Sequence, residues 1–163
     1  MTIREQIILA ACGYLLAGAA SPSLYSSSSA GPAPVPGLAV HRERTRPLEA
    51  DRLPAVLLYS EDEEPSPIGS RRDAPLTERA LTLKVECRAQ GSQTTPPDAA
   101  LDPVIAWVLW QILNNEKFGG LANGVSEGKT SWTSKEGDTV LAAAAIHFTV
   151  KYRTSRTDPS SSH

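Results

Sequence analysis

The sequence predicts an α+β fold: a mostly antiparallel or mixed β-sheet, two helices packed on one of its faces, and long mobile loops. Three stretches carry that expectation. In Ala80 to Ala89, Leu81, Leu83, Val85, Cys87 and Ala89 point one way while Thr82, Lys84, Glu86 and Arg88 point the other. In Val140 to Arg153, Val140, Ala142, Ala144, Ile146, Phe148, Val150 and Tyr152 share one face, opposite His147, Thr149, Lys151 and Arg153. A period of two with one apolar face marks a sheet covered on one side only. Between them, Val104 to Leu113 is apolar almost all round, the pattern of a helix covered on more than one side.

The remaining elements follow in chain order. Residues 1–20 read as an amphipathic helix, with Ile3, Ile7, Ala11, Tyr14, Leu15 and Gly18 at three- and four-residue spacing and Thr2 with Glu5 as a capping box. The rival reading is an export leader cleaved after Ala20. Residues 21–37 (SPSLYSSSSAGPAPVPG) read as an extended linker or loop with little to bury. Residues 38–46 alternate weakly, and Leu53 to Tyr59 (LPAVLLY) reads as a buried strand. Residues 60–79 keep no period and read as a long mobile loop.

The second helix is expected to start at Asp102 as N-cap with Pro103 first inside, and to end near Gly119-Gly120. Val125 to Ser134 is polar, Glu136-Gly137-Asp138 is a turn, and the Ala142–Ala145 run belongs to a strand because alternation continues through it. Residues 1–154 thus form one domain, and residues 155–163 a flexible polar tail.

Composition narrows the function. The chain has 163 residues and a net charge of −2, without the basic excess of a dedicated nucleic-acid binder. Cys12 and Cys87 are too few and too far apart for a disulfide scaffold or a paired-cysteine metal site. Gly128-Lys129-Thr130 is similar to the end of a phosphate-binding loop, but the earlier glycine is missing and a turn, not a helix, follows. His41, His147 and His163 lie beside no recognisable nucleophile, and no two His or Cys stand at ligand spacing. The expectation is a protein with no catalytic, metal-binding or cofactor-binding residues and no membrane span.

The candidates for function are charges. Arg42, Arg44 and Arg46 align on one strand face and repel unless something acidic meets them. Glu61, Asp62, Glu63 and Glu64 form a matching acidic run in residues 55–100, which hold 8 acidic against 5 basic groups. Arg71 and Arg72 follow in the same loop. These nine residues are the expected subunit or partner contacts.

The order of elements, together with LPAVLLY at 53–59, RALTLKVE at 79–86, GGLA at 119–122 and FTVKYRT at 148–154, resembles the tail terminator (minor tail protein U type) family of long-tailed bacteriophages. The resemblance covers roughly residues 38–154, and residues 1–20 fit the family's leading helix; the Ser/Pro-rich residues 21–37 and the Ser-rich tail depart from it. It implies a structural virion protein, assembled in the host cytoplasm as a ring, commonly a hexamer, at the head-proximal end of the tail tube. Such a ring stops tube polymerisation and joins the tail to the head connector, with DNA passing through its lumen. The implied partners are further copies of the chain, the tail tube protein and the connector or stopper protein. Another neck or tail-completion role remains the alternative within phage assembly, and an exported bacterial protein the alternative outside it.

Overall fold

The computed structural model describes residues 1–20, 31–43, 52–68, 76–135 and 141–161. These residues form helix α1 (Ile3–Ala20), strands β1 (Ala39–Arg42), β2 (Ala55–Pro67) and β3 (Leu76–Gln90), helix α2 (Pro97–Asn114), and strands β4 (Gly124–Lys135) and β5 (Leu141–Ser155). The strands make one five-stranded sheet in the order β1-β2-β3-β5-β4. Only β1 and β2 run parallel; the other neighbours are antiparallel, so the fold is α+β with a mixed sheet.

Alternation in β3 and β5 determines which face is covered. Leu81, Leu83, Val85, Cys87 and Ala89 of β3 and Ala144, Ile146, Phe148, Val150 and Tyr152 of β5 are all buried. Their cross-strand pairs, such as Val85 with Ile146 and Leu83 with Phe148, put both sets on one side of the sheet. Both helices cover that side. The inner side of α1 is Ile3, Ile7, Ala11 and Leu15, four residues apart; that of α2 is Leu101, Val104, Trp107, Val108 and Ile112. The Trp107 indole N–H donates to the Leu15 carbonyl at 3.3 Å, joining the helices through a buried polar contact.

Several boundaries depart from the sequence reading. The polar stretch 60–79, read as a loop, supplies the second half of β2 and the start of β3, with Pro65 opposite Arg79 and Pro67 opposite Thr77. Its backbone finds partners on β3, which is itself secured along its whole length by β5, so no apolar period is needed. Residues 69–75, with Arg71 and Arg72, lie outside the described residues, as does the turn Glu136-Gly137-Asp138.

Helix α2 begins at Pro97, not Pro103. Pro96 and Pro97 preset the helical φ, the Ala100 N–H donates to the Pro96 carbonyl at 3.0 Å, and Asp98 sits in the first turn where the helix dipole favours it. Pro103 lies inside the helix, with Leu101 and Val104 on either side of it buried in the core. The helix ends before Gly119, and buried Phe118 adopts φ +47 against Tyr14, with ring centroids 5.9 Å apart. Gly119 and Gly120 continue the turn at φ +69 and +95, values that side chains oppose.

Two segments expected to pack little do pack. Val35 and Leu38 are buried, and a Cβ at Gly31 would sit 2.7 Å from the Trp110 ring, so this end of the Ser/Pro-rich segment lies directly on α2. The tail is tied down as well: the Ile3 N–H donates to the Pro159 carbonyl at 3.0 Å, supplying one of the acceptors that a helix start lacks. Asp158 accepts from the Ser160 N–H at 2.9 Å and shapes that turn.

Candidate functional site

The face of the sheet turned away from the helices carries the charged residues. On β3 it presents Lys84, Glu86 and Arg88; on β5 it presents Ala143, Ala145 and His147. Ser131 and Thr133 of β4 border the same surface. Because alanines floor the middle while longer side chains rise around them, this face is concave, with a basin of about 340 Å³.

The basin wall is cross-linked. Glu61 lies 3.6 Å from the Lys84 ammonium and 3.4 Å from His147 Nε2. The His147 ring is oriented by its Nδ1, which donates to the Lys129 carbonyl at 2.9 Å. Lys84 Nζ also stands 5.6 Å from the centre of the Tyr59 ring, within cation–π range. Two residues along β3, Arg88 pairs with Glu86 at 2.6 Å. Each pair is at least partly exposed and contributes modestly to stability; together they hold the wall in one geometry.

A β-bulge divides the acidic run. The register of β2 on β3 shifts between Ser60 and Glu63. In a regular strand Glu61 and Glu63 would share a face. The extra residue sends them to opposite faces, because each bulge inserts one residue against none on the partner strand. Glu61 joins the basin, whereas Glu63 pairs with Arg79 near Tyr152 on the helix side. Arg79 Nε also donates to Thr154 Oγ1 at 3.1 Å. Burial, with the Glu63 carboxylate beside it, raises the Tyr152 hydroxyl above its ordinary pKa. Asp62 and Glu64 remain exposed on β2.

The expected arginine strip is placed differently. Arg42 lies on β1 and turns to the helix side, where its guanidinium grips both oxygens of Glu5 on α1. That hydrogen bond holds the Glu5 carboxyl below its ordinary pKa. Glu5 therefore completes only half of the capping box: its N–H donates to Thr2 Oγ1 at 3.3 Å, but its side chain serves Arg42. Arg42 is thus paired with Glu5 of the same chain and not with Glu61 to Glu64. Arg44 and Arg46 lie outside the described residues.

Residue-by-residue reading missed Glu5, His147 and Arg79 as partners of the flagged charges. The Thr2/Glu5 spacing drew attention to Glu5 for another reason, and His147 was visible as an outward residue of a strand. Among the described residues there is no group of three or more His, Cys, Asp or Glu side chains that could hold a metal. Gly128-Lys129-Thr130 lies within β4 and opens no helix, so it lacks the free amides that a phosphate cradle uses. No described helix is long and apolar enough to cross a membrane. No protein-family model matches the chain, and no curated protein matches it.

Proposed function

We propose that the chain is a structural ring protein of a bacteriophage tail, a tail terminator that caps the tail tube and meets the head connector. The observation that carries this reading is a two-layer subunit whose sheet has helices on one face only and an ion-paired basin on the other. Among the described residues no helix covers that second face, and a ring subunit must offer two different patches to its two neighbours. Beside it stands the resemblance drawn from LPAVLLY, GGLA and FTVKYRT in the sequence. In this reading the exposed Asp62 and Glu64 of β2 are candidate contacts to the tube or the connector.

The export alternative requires the loss of residues 1–20, and with them the buried Ile3, Ile7, Ile8, Ala11 and Leu15. Negative-stain microscopy of the purified chain tests the ring directly. A ring with a central hole that blocks further growth of tail tubes supports the terminator; a monomer that leaves tube length unregulated refutes it. Intact mass at the N-terminus separates the two readings, since export removes the first helix.

A further inference from the structure

His147 stands between two irregular strands. It lies opposite Lys84 of β3, and Lys84 lies opposite Tyr59 of β2, so one row crosses the three strands at this level. On either side of the β3–β5 pair the neighbouring strand bulges beside that row. The register of β2 on β3 shifts between Ser60 and Glu63, and that of β4 on β5 shifts between Glu127 and Thr130. Gly128 and Lys129 of β4 therefore stand against the single residue His147. A Cβ at Gly128 would come within 3.1 Å of the His147 carbonyl, so the two backbones approach closely at this bulge.

Each ring nitrogen of His147 faces an acceptor, one from each bulge. Nδ1 is 2.9 Å from the Lys129 carbonyl, and Nε2 is 3.4 Å from Glu61 Oε2. Neither a carbonyl nor an ionised carboxylate has a proton to give. The neutral ring carries one N–H and serves one of them; with that proton on Nδ1, the Nε2 lone pair points at the carboxylate. Imidazolium carries two N–H groups and serves both. The ring is 26% exposed, so a solvent proton reaches it. The other charged or titratable groups of this neighbourhood fall on three strands. On β3, the Lys84 ammonium is 3.6 Å from Glu61 Oε1 with the Tyr59 ring of β2 beside it, and Glu86 is engaged by Arg88. On β2, Asp62 is exposed next to Glu61. On β4, the Lys129 side chain is exposed, and Glu127 shares the opposite face of the sheet with buried Phe148. The flanking outward residues of β5, Ala145 and Thr149, carry no charge.

We propose that His147 is a proton-operated clasp between the two bulges. With a solvent proton on Nε2 it ties Glu61 of β2 to the Lys129 carbonyl of β4 across the central strands; without that proton it releases Glu61 and keeps Lys129 alone. Histidine changes its charge between pH 5 and pH 8, so the clasp is closed at the acid end of that window and opens as pH rises through it. Lys84 continues to hold Glu61 when the clasp is open, so the wall loosens without coming apart. Bulges interrupt the hydrogen-bond ladder, which makes them the places where a sheet yields first and where one further tie is felt most. Closing the clasp therefore stiffens both bulges and the His147 end of the basin together. The device belongs to the single chain and does not depend on the ring reading.

The test uses the full chain. Nitrogen magnetic resonance of histidine-labelled protein reads the proton on each ring nitrogen, and amide hydrogen exchange reads the two bulges. At pH 5.5 both His147 nitrogens are expected to carry protons, and at pH 8 Nδ1 alone. Protection of the Glu61, Asp62, Gly128 and Lys129 amides is expected to fall about threefold between the two conditions, the scale of one partly exposed ion pair. Protection is taken relative to Val85 and Ile146 in the central strands, which report on the whole fold. Glu61→Gln removes the carboxylate from β2 and is expected to abolish the change at Gly128 and Lys129 on β4, a transfer that only a tie across the sheet produces. His147→Gln is expected to abolish it at both bulges; should that variant fail to fold, Glu61→Gln at the exposed end of the clasp decides alone. A ring that carries one proton at pH 5.5, or keeps Nε2 protonated and loses Nδ1 at pH 8, overturns the clasp. Equal relative protection at the two pH values overturns it, as does a pH dependence on β4 that survives in Glu61→Gln.

Discussion

Arg42 on β1 and Glu5 in the first turn of α1 form a two-point ion pair across 37 residues of sequence, with Nη2 2.7 Å from Oε2. The pair fastens the leading helix to the edge of the sheet, on the side opposite the basin. It also takes Arg42 out of the set of charges available to a partner. The planar guanidinium suits this task because it meets both carboxylate oxygens at once, which an ammonium does not.

Replacing Glu5 with Gln is expected to lower the melting temperature at neutral pH and to flatten its dependence on acid. The Glu5 carboxyl is depressed by Arg42, so its contribution is present above the unfolded carboxylate value of about 4.3 and is lost as pH falls through the lower folded value. Melting curves from pH 7 to pH 2 check this. The two proteins should converge at the acid end, and a constant gap at every pH would place the effect elsewhere.

Trp107→Ala should cost about 3–5 kcal/mol, the range for emptying a buried indole site. The residue is 1% exposed, and its loss also leaves the Leu15 carbonyl without its 3.3 Å donor. Urea denaturation gives the value. Trp107→Phe should recover part of the packing and none of the hydrogen bond, so it should fall between the two.

Gly31→Ala tests the close approach of the 31–38 segment to α2. A methyl group there would meet three atoms of the Trp110 ring at 2.7 to 2.9 Å, well inside contact distance. The expected cost is about 1–3 kcal/mol, as for other overpacked sites. In a Trp110→Leu background the same substitution should cost much less, because the ring that opposes the methyl is gone. Equal losses in the two backgrounds would mean that the ring is not the obstacle.

Alkaline pH should destabilise the fold through two buried groups. Burial pushes the Cys87 thiol up to about 12 and raises the Tyr152 hydroxyl. Both keep their protons in the folded chain after the unfolded chain has released them, from about pH 8.5 for a thiol and about pH 10 for a phenol. Stability is therefore complete below those values and declines as pH rises through the folded ones. Denaturant midpoints between pH 8 and pH 11 should fall steadily, and Cys87→Ala should reduce the slope at the lower end. A thiol reagent at pH 8 should spare Cys87 until the protein unfolds.

Element type was legible in the residues. Alternation through Leu81 to Ala89 and Ala142 to Tyr152 identified the two central strands and their buried faces, and the same alternation overruled the helix-forming look of four consecutive alanines. The spacing Ile3, Ile7, Ala11, Leu15 identified α1 and its inner side in the same way. These patterns are local, because a side chain's direction in a strand or helix depends only on its position in the repeat. What depends on a distant partner was decided by the tertiary structure. Residues 60–67 became a strand because β3 offered hydrogen bonds, and the bulge after Ser60 sent Glu61 and Glu63 to opposite faces. Helix α2 started at Pro97 although Pro103 reads as a better first residue, since burial of Leu101 outweighs the missing N–H within the helix. Arg42 found Glu5, and His147 found Glu61 and the Lys129 carbonyl, through the register of strands far apart in sequence. Periodicity states which way a side chain points; only the assembled sheet and helices determine what stands there to meet it.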